Sequence, residues 1–544
     1  MKILHTQRLD MAVNIANGNY IRGMMTALLV LCGTLTSIAY DFKAGDIFYN
    51  ILSNSERTVE VTHGNYSHRY SGSITIPGNV THSGTTYKVT AIRPEAFWEC
   101  TGLASVVIQA EVLDIADYTF YNCTGLTSIT LPESLENIGN HAFAGCTSLA
   151  GINIPGSTKT IGTCAFAGCT GLGTAIIGKG ITAISEGAFR QCHSLTSIII
   201  PENVTIIDNY AFEFCTGLKE VNLGNNIETI GDCAFQGCSG LTGIIIPDGV
   251  ITIGASAFDG CTSLASINIP SNTEEIGASA FDGCYSFNSI TVESGNYYYD
   301  NRNGCNAIIE SESNRLIRGS NGTIIPDGIT GIGEWAFYNS TAENIKIPNS
   351  VTTIGNWAFF NCTGLKSIKI PSNVKSVGEY SFFNNKQLAE VIIPKSATEV
   401  GNGAFYECTA ITEIYSKAKT PASVGEYTFD SIYNTATLYV PIGAKTAYQS
   451  APYWSNFANI VEKQFDITGD VDEDLVIDVA DVTELIAMIL NESLRIEAGD
   501  TDKDKVIDVA DVTELIQIIL NARYEAAPKA KDTRMRDNTG IIKH

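Results

Sequence analysis

Two acidic runs carry the most specific chemistry in this chain of 544 residues. The first is Asp470-Val471-Asp472-Glu473-Asp474-Leu475-Val476-Ile477-Asp478-Val479-Ala480-Asp481. Thirty residues later it recurs as Asp500-Thr501-Asp502-Lys503-Asp504-Lys505-Val506-Ile507-Asp508-Val509-Ala510-Asp511. Each run sets carboxylates at loop places 1, 3, 5, 9 and 12: Asp470, Asp472, Asp474, Asp478 and Asp481, then Asp500, Asp502, Asp504, Asp508 and Asp511. The backbone carbonyls of Val476 and Val506 stand at place 7. Calcium is a hard cation that takes six to eight oxygens, and a loop with this spacing wraps one ion, so two ions are expected. Place 6 normally needs a glycine for its positive φ, and here Leu475 and Lys505 occupy it. That substitution costs about 1 kcal/mol per loop and bears on affinity rather than on fold. A pair of acidic turns that hold no metal is the alternative.

The loops need elements to hold them. Behind each runs an amphipathic helical stripe, Val482, Leu485, Ile486, Ile489, Leu490 and then Val512, Leu515, Ile516, Ile519, Leu520, so that two halves bury their stripes against each other. Asp466 to Arg523 holds 16 acidic and 4 basic residues, half of the chain's net charge of −24. Such a charge excludes nucleic acid as a partner, since that requires a basic face.

Upstream the chain is periodic. Phenylalanine returns every 23 residues at Phe97, Phe120, Phe143, Phe166, Phe189, Phe212, Phe235, Phe258 and Phe281, and cysteine keeps the same step from Cys100 to Cys284. A fixed period of this size means stacked supersecondary units whose apolar positions are buried only by their neighbours. The expected fold is a repeat solenoid of short β-strands and turns, followed by a small all-α calcium-binding domain. Each Leu-x-x-Ile-x-Ile segment reads as a strand stopped by a proline such as Pro132 or Pro155. Gly139, Gly162, Gly231, Gly254 and Gly277 are expected to take positive φ at the following bend, with strain where Ser185 replaces them and less at Asp208. The fifteen cysteines are expected to form a ladder of buried thiols rather than disulfides, broken by Cys164, Cys233 and Cys305.

The divisions expected are a secretory signal peptide over 1–39, an N-terminal β cap over 40–90 and the solenoid over 91–415. The solenoid carries an insertion of about 33 residues near 288–322, because Phe337 follows Phe281 by 56. A closing cap over 416–463, the calcium domain over 464–523 and a disordered tail over 524–544 complete the chain. The signal peptide rests on Arg22, the apolar run Met24–Ala39 and the small residues Ser37 and Ala39. After its cleavage no stretch is long and apolar enough to span a bilayer.

The repeat unit, Leu-x-x-Ile-x-Leu-Pro followed by Ile-Gly-x-x-Ala-Phe-x-x-Cys, resembles the BspA-like (Treponema-type) leucine-rich repeat. The resemblance covers about 325 residues. It implies a secreted or surface-held bacterial protein that adheres to a host matrix protein or another cell-surface ligand. The acidic tandem resembles the dockerin module, with Asp rather than Glu at place 12. That likeness implies docking to a cohesin-type domain, with Val479, Ala480, Val509 and Ala510 at the recognition places.

The strand residues facing away from the core are mostly small and polar, but Ile176, Ile199 and Ile245 stand among them and are candidate partner contacts. No His-Glu-x-x-His or Gly-x-Ser-x-Gly occurs, and repeat acids such as Glu133, Glu202 and Asp248 fall on solvated turns. The expectation is therefore a non-enzymatic binding and adhesion protein with calcium-dependent docking. The alternatives are a scaffold component whose specific act is dockerin–cohesin pairing, or a dockerin-bearing polysaccharide-degrading enzyme.

Overall fold

The computed structural model describes residues 40–64, 69–465, 481–483, 485–486, 501 and 509–526. The expected signal peptide (1–39) and the segment 527–544 lie outside the described residues. The chain divides into two compact units, 1–181 and 182–544. Each is a β-solenoid whose coils are one repeat long.

The first unit opens on strands β1 (Phe42–Ala44), β2 (Ile47–Ser53), β3 (Thr58–Thr62), β4 (Gly72–Ile76), β5 (Asn79–His82) and β6 (Thr85–Ile92). Five of them form a sheet in the order β1-β2-β3-β6-β5, while β4 pairs in parallel with Leu103–Ile108 and starts the stack. From there every coil contributes two short parallel strands. Asn137 pairs with Asp114 on one side and Thr160 on the other, a register of one repeat in each direction. That register aligns identical core positions. Phe97, Phe120, Phe143 and Phe166 stack face to face at 4.8, 5.2 and 5.1 Å between ring centroids. Tyr70 closes the column, 4.4 Å from Phe97, and its hydroxyl donates to Thr62 O while accepting from Phe48 N–H.

The backbone is stitched in both directions. On the long turn, His141, Phe143 and Gly145 donate their N–H groups forward to Thr163, Ala165 and Ala167 of the next coil. Elsewhere in the coil Thr127, Glu136 and Gly139 donate backward, to Ala104, Leu113 and Ile115. This alternation requires left-handed backbone two residues before and two residues after each phenylalanine, as at His141 (φ 52°) and Gly145 (φ 76°). The expectation of positive φ at Gly139 and its equivalents is therefore wrong. Those glycines answer to space instead: a Cβ at Gly139 would lie 2.6 Å from Asp117 N, and one at Gly162 2.5 Å from Asn140 N. Ser185 and Asp208 likewise lie outside the positive-φ region, so the strain expected there is absent.

None of the fourteen described cysteines forms a disulfide. Those on the beat are placed by a hydrogen bond to the carbonyl of the phenylalanine one coil earlier, as from Cys146 Sγ to Phe120 O at 3.1 Å and from Cys169 Sγ to Phe143 O at 3.2 Å. Burial pushes the Cys169 thiol up to about 12, which disfavours its thiolate, the reactive and metal-binding form.

The second unit repeats the plan: Phe189 through Phe281 stack at 5.3–5.6 Å. The beat then breaks. Tyr299–Asp300, Ala307–Glu310 and Arg315–Gly319 form an antiparallel insertion that rejoins the solenoid by parallel pairing with Gly331–Ile332. Phe287 packs against Phe281, and Gly319 is pressed so close to the Phe337 ring that a Cβ would sit 2.4 Å from it. From Phe337 to Phe429 the column resumes at 5.0–5.7 Å. Asn385 replaces a cysteine there, and its amide donates to both Phe359 O (2.9 Å) and Phe382 O (2.7 Å).

The end of this unit's column is closed by Trp454 and Phe457, 5.1 and 5.4 Å from Phe429. The Trp454 indole donates to Ala422 O at 2.8 Å, and Asn459–Lys463 adds a last parallel strand beside Thr437–Pro441. No helix among the described residues is long and apolar enough to cross a membrane.

Candidate functional site

The outward strand face presents the apolar residues singled out above. In the first unit Ile176 is 63% exposed. In the second, Ile199 and Ile245 are 69% and 85% exposed, while the inward neighbours Ile198 and Ile244 are buried. Asn268 of the same face is engaged on both sides, accepting from Thr291 Oγ1 at 2.7 Å and donating to Glu293 at 2.8 Å. Strand alternation therefore leaves these isoleucines exposed on the outward strands.

Of the twelve candidate calcium ligands the described residues include Asp481 and Asp511, both buried. Asp470, Asp472, Asp474, Val476, Asp478, Asp500, Asp502, Asp504, Val506 and Asp508 lie outside them, as do Val479 and Ala480. Asp511 Oδ1 accepts the Thr501 N–H at 2.6 Å, and Thr501 Oγ1 donates to Asp511 O at 2.8 Å. Places 2 and 12 of the second loop are thus tied together, which is the closure an ion-wrapping loop needs. The helix Val509–Ala526 begins there, with Val509 exposed and Leu515 and Ile519 buried. Ala510 falls in its first turn. A buried, anchored carboxylate on a loop of this composition fits calcium.

A further surface escaped the sequence reading. Along the long turn of the second unit, the positions two before and one after each phenylalanine become aromatic: Trp335 and Tyr338, Trp357 and Phe360, Tyr380 and Phe383, then Tyr406. Trp335 and Trp357 stack at 4.8 Å, Phe360 and Phe383 at 4.6 Å, and the half-buried rings form an outer ladder. Asn361 donates to Asn339 and Asn384 to Asn361 along its side. Trp335, Trp357 and Tyr380 have φ of 56°, 54° and 51°, a conformation costing about 1 kcal/mol for a non-glycine residue, where Gly187 and Gly403 fill the same place in other coils. The signal was present as a second beat of 22 to 23 residues, masked by the stronger phenylalanine beat beside it.

In earlier coils of the same unit those positions are small or polar apart from Tyr210. The Arg190 guanidinium lies 5.8 Å from the Tyr210 ring and pairs with the buried Glu213 carboxylate. Asp282 follows in this column, 3.9 Å from the Arg318 guanidinium, which is 5% exposed and donates to Trp335 O and Cys284 O. Burial outweighs that attraction and raises the Asp282 carboxyl to about 6. The folded state then holds this proton more tightly than the unfolded chain does. The contribution is complete below about pH 4 and lost as pH rises through about 6, a change of up to about 3 kcal/mol. Unfolding curves of the parent and Asp282→Asn should accordingly diverge between those pH values, the parent gaining on acidification; parallel curves would refute the assignment.

A family described as BspA type leucine rich repeat region (6 copies) matches residues 90–216, 182–303 and 320–460. The chain belongs to the BspA-type leucine-rich-repeat family. Within that family's fold, a crystal structure of a leucine-rich repeat protein from Bacteroides ovatus is similar at 28% identity and a TM-score of 0.50, covering 74% of this chain and 100% of that one. A leucine rich cell surface protein from Faecalibacterium prausnitzii is 25% identical over 78% of this chain and 94% of its own, with a TM-score of 0.43. No protein of curated function matches. BspA-type membership accounts for the solenoid and agrees with a surface binding role.

Proposed function

We propose that this BspA-type protein is an exported, non-enzymatic adhesion protein of a bacterial surface. Its outward strand face contacts a host matrix protein or cell-surface ligand, and its acidic tandem binds two calcium ions and docks a cohesin-type partner. The observation that carries the adhesive part is the exposure of isoleucines on strands whose inward residues are buried, Ile199 and Ile245 in the second unit and Ile176 in the first. Losing a large apolar contact from such a face costs about 1–3 kcal/mol of binding. In a plate assay on immobilised matrix proteins, Ile199→Ser with Ile245→Ser is expected to weaken adhesion about tenfold or more, without changing the melting curve. Unaltered adhesion would remove the strand face from the reading.

The anchored Asp511 carboxylate supports the calcium part. Calorimetric titration of the full chain is expected to show heat for two calcium ions, and Asp502→Asn with Asp504→Asn should remove one of them. Absence of heat sinks the metal. Heat without capture of any cohesin-type domain would keep the metal and discard the docking. Should deletion of 464–544 abolish surface retention while the parent shows no ligand binding, the scaffold alternative would stand instead.

A further inference from the structure

We propose that the outer aromatic ladder of the second unit is a separate docking site for a basic segment of a partner protein, whose lysine and arginine side chains seat on Trp335, Trp357 and Tyr380. Three observations converge on it. The first is electrostatic. Glu334 and Glu379 stand immediately before Trp335 and Tyr380, and Glu407 closes the row. The turn segments 334–340, 356–362, 379–385 and 402–408 contain no lysine or arginine. An acidic rim of this kind disfavours anionic ligands and attracts cations.

The second observation is an intramolecular precedent. In an earlier coil, at the same places relative to phenylalanine, the chain supplies its own cation: Arg190 lies over the Tyr210 ring and pairs with Glu213. From Trp335 onward the aromatic place is kept, the acids stand three residues before phenylalanine (Glu334, Glu379) or two after it (Glu407) instead of one after, and the turn segments carry no cation of their own. A guanidinium or ammonium from another chain would complete it by the same cation–π and carboxylate contacts. The third is order. Asn356 donates to Glu334 Oε1 at 3.1 Å and accepts from Glu379 N–H at 2.9 Å, so the acids are tied to successive coils. Together they present a row matched to an extended peptide. Because Trp335 and Trp357 stack on each other, part of their ring faces is already covered. That leaves a pyranose no broad open platform, whereas a single ammonium or guanidinium needs only one uncovered ring face beside a carboxylate.

Two of the chain's four tryptophans are in the ladder, so binding is readable by indole fluorescence. Titrating the full, calcium-saturated chain with a lysine- and arginine-rich peptide is expected to quench it, with an affinity that falls steeply with added salt. Glu334→Gln, Glu379→Gln and Glu407→Gln together should weaken binding about tenfold, and Trp357→Phe, which keeps a ring, should weaken it only about two- to threefold. Asp502→Asn with Asp504→Asn controls for capture by the acidic tandem and should leave quenching unchanged. If the triple variant does not fold, the single variants Glu334→Gln and Glu379→Gln serve in its place, each expected to cost about twofold. The proposal falls if the glutamine variants bind as the parent does, if the tandem variant abolishes quenching, or if a neutral oligosaccharide quenches where the peptide does not.

Discussion

Replacing Phe235 by alanine is expected to destabilise the second unit by about 4 kcal/mol, the range for deleting a fully buried aromatic ring. Phe235 is enclosed between Phe212 and Phe258, with centroids at 5.3 and 5.4 Å and planes within 8° of parallel. Its backbone carbonyl also accepts from Cys261 Sγ at 3.3 Å. The cavity has no route to collapse, because the coils on either side are held apart by their own strand ladders. In a stack each coil's stability includes the interface with its neighbours, so the loss should concentrate nearby. Hydrogen exchange should accelerate at Phe212–Cys215 and Phe258–Cys261 before it does near Phe405. A loss below about 1 kcal/mol would contradict the continuous core.

The other large effect comes from adding one carbon. Gly254→Ala would set a Cβ 2.5 Å from Asp232 N and 2.5 Å from Gly231 C, backbone atoms that cannot move without parting two coils. A destabilisation of about 3 kcal/mol is expected, the upper range for overpacking. Gly243→Ala in the same unit meets nothing within 4 Å and should stay within about 0.5 kcal/mol of the parent. Thermal or urea unfolding of the pair decides the matter. Equal curves would mean that Gly254 is retained for some reason other than proximity.

These two substitutions also mark how far the sequence could be read. The period places the stacked phenylalanines and the thiols three residues after them, because burial of identical positions follows directly from stacking. The reason for the glycine beat was not readable. Recurrence at Gly139 or Gly254 is compatible both with a left-handed bend and with close contact, and only the neighbouring coil separates the two. The left-handed positions were hidden because Trp335, Trp357 and Tyr380 are residue types that seldom adopt them. The outer ladder was missed for a related reason: Trp335 and Trp357 stand 22 residues apart, and nothing short of the register shows that they touch. The acidic tandem was the plainest motif in the sequence, and of its candidate ligands Asp481 and Asp511 fall among the described residues.

The opposed hydrogen bonds of each coil bear on how such a protein can change in length. In an α-helix all peptide dipoles point one way and leave partial charge at each terminus. Here His141, Phe143 and Gly145 point theirs toward the following coil, whereas Thr127, Glu136 and Gly139 point the other way. The axial components offset one another, and no macrodipole accumulates with repeat number. Duplicating or deleting a coil therefore leaves the electrostatics of both termini as they were. The closing groups, Tyr70 in one unit and Trp454 with Phe457 in the other, have only to match an apolar cross-section that every coil shares.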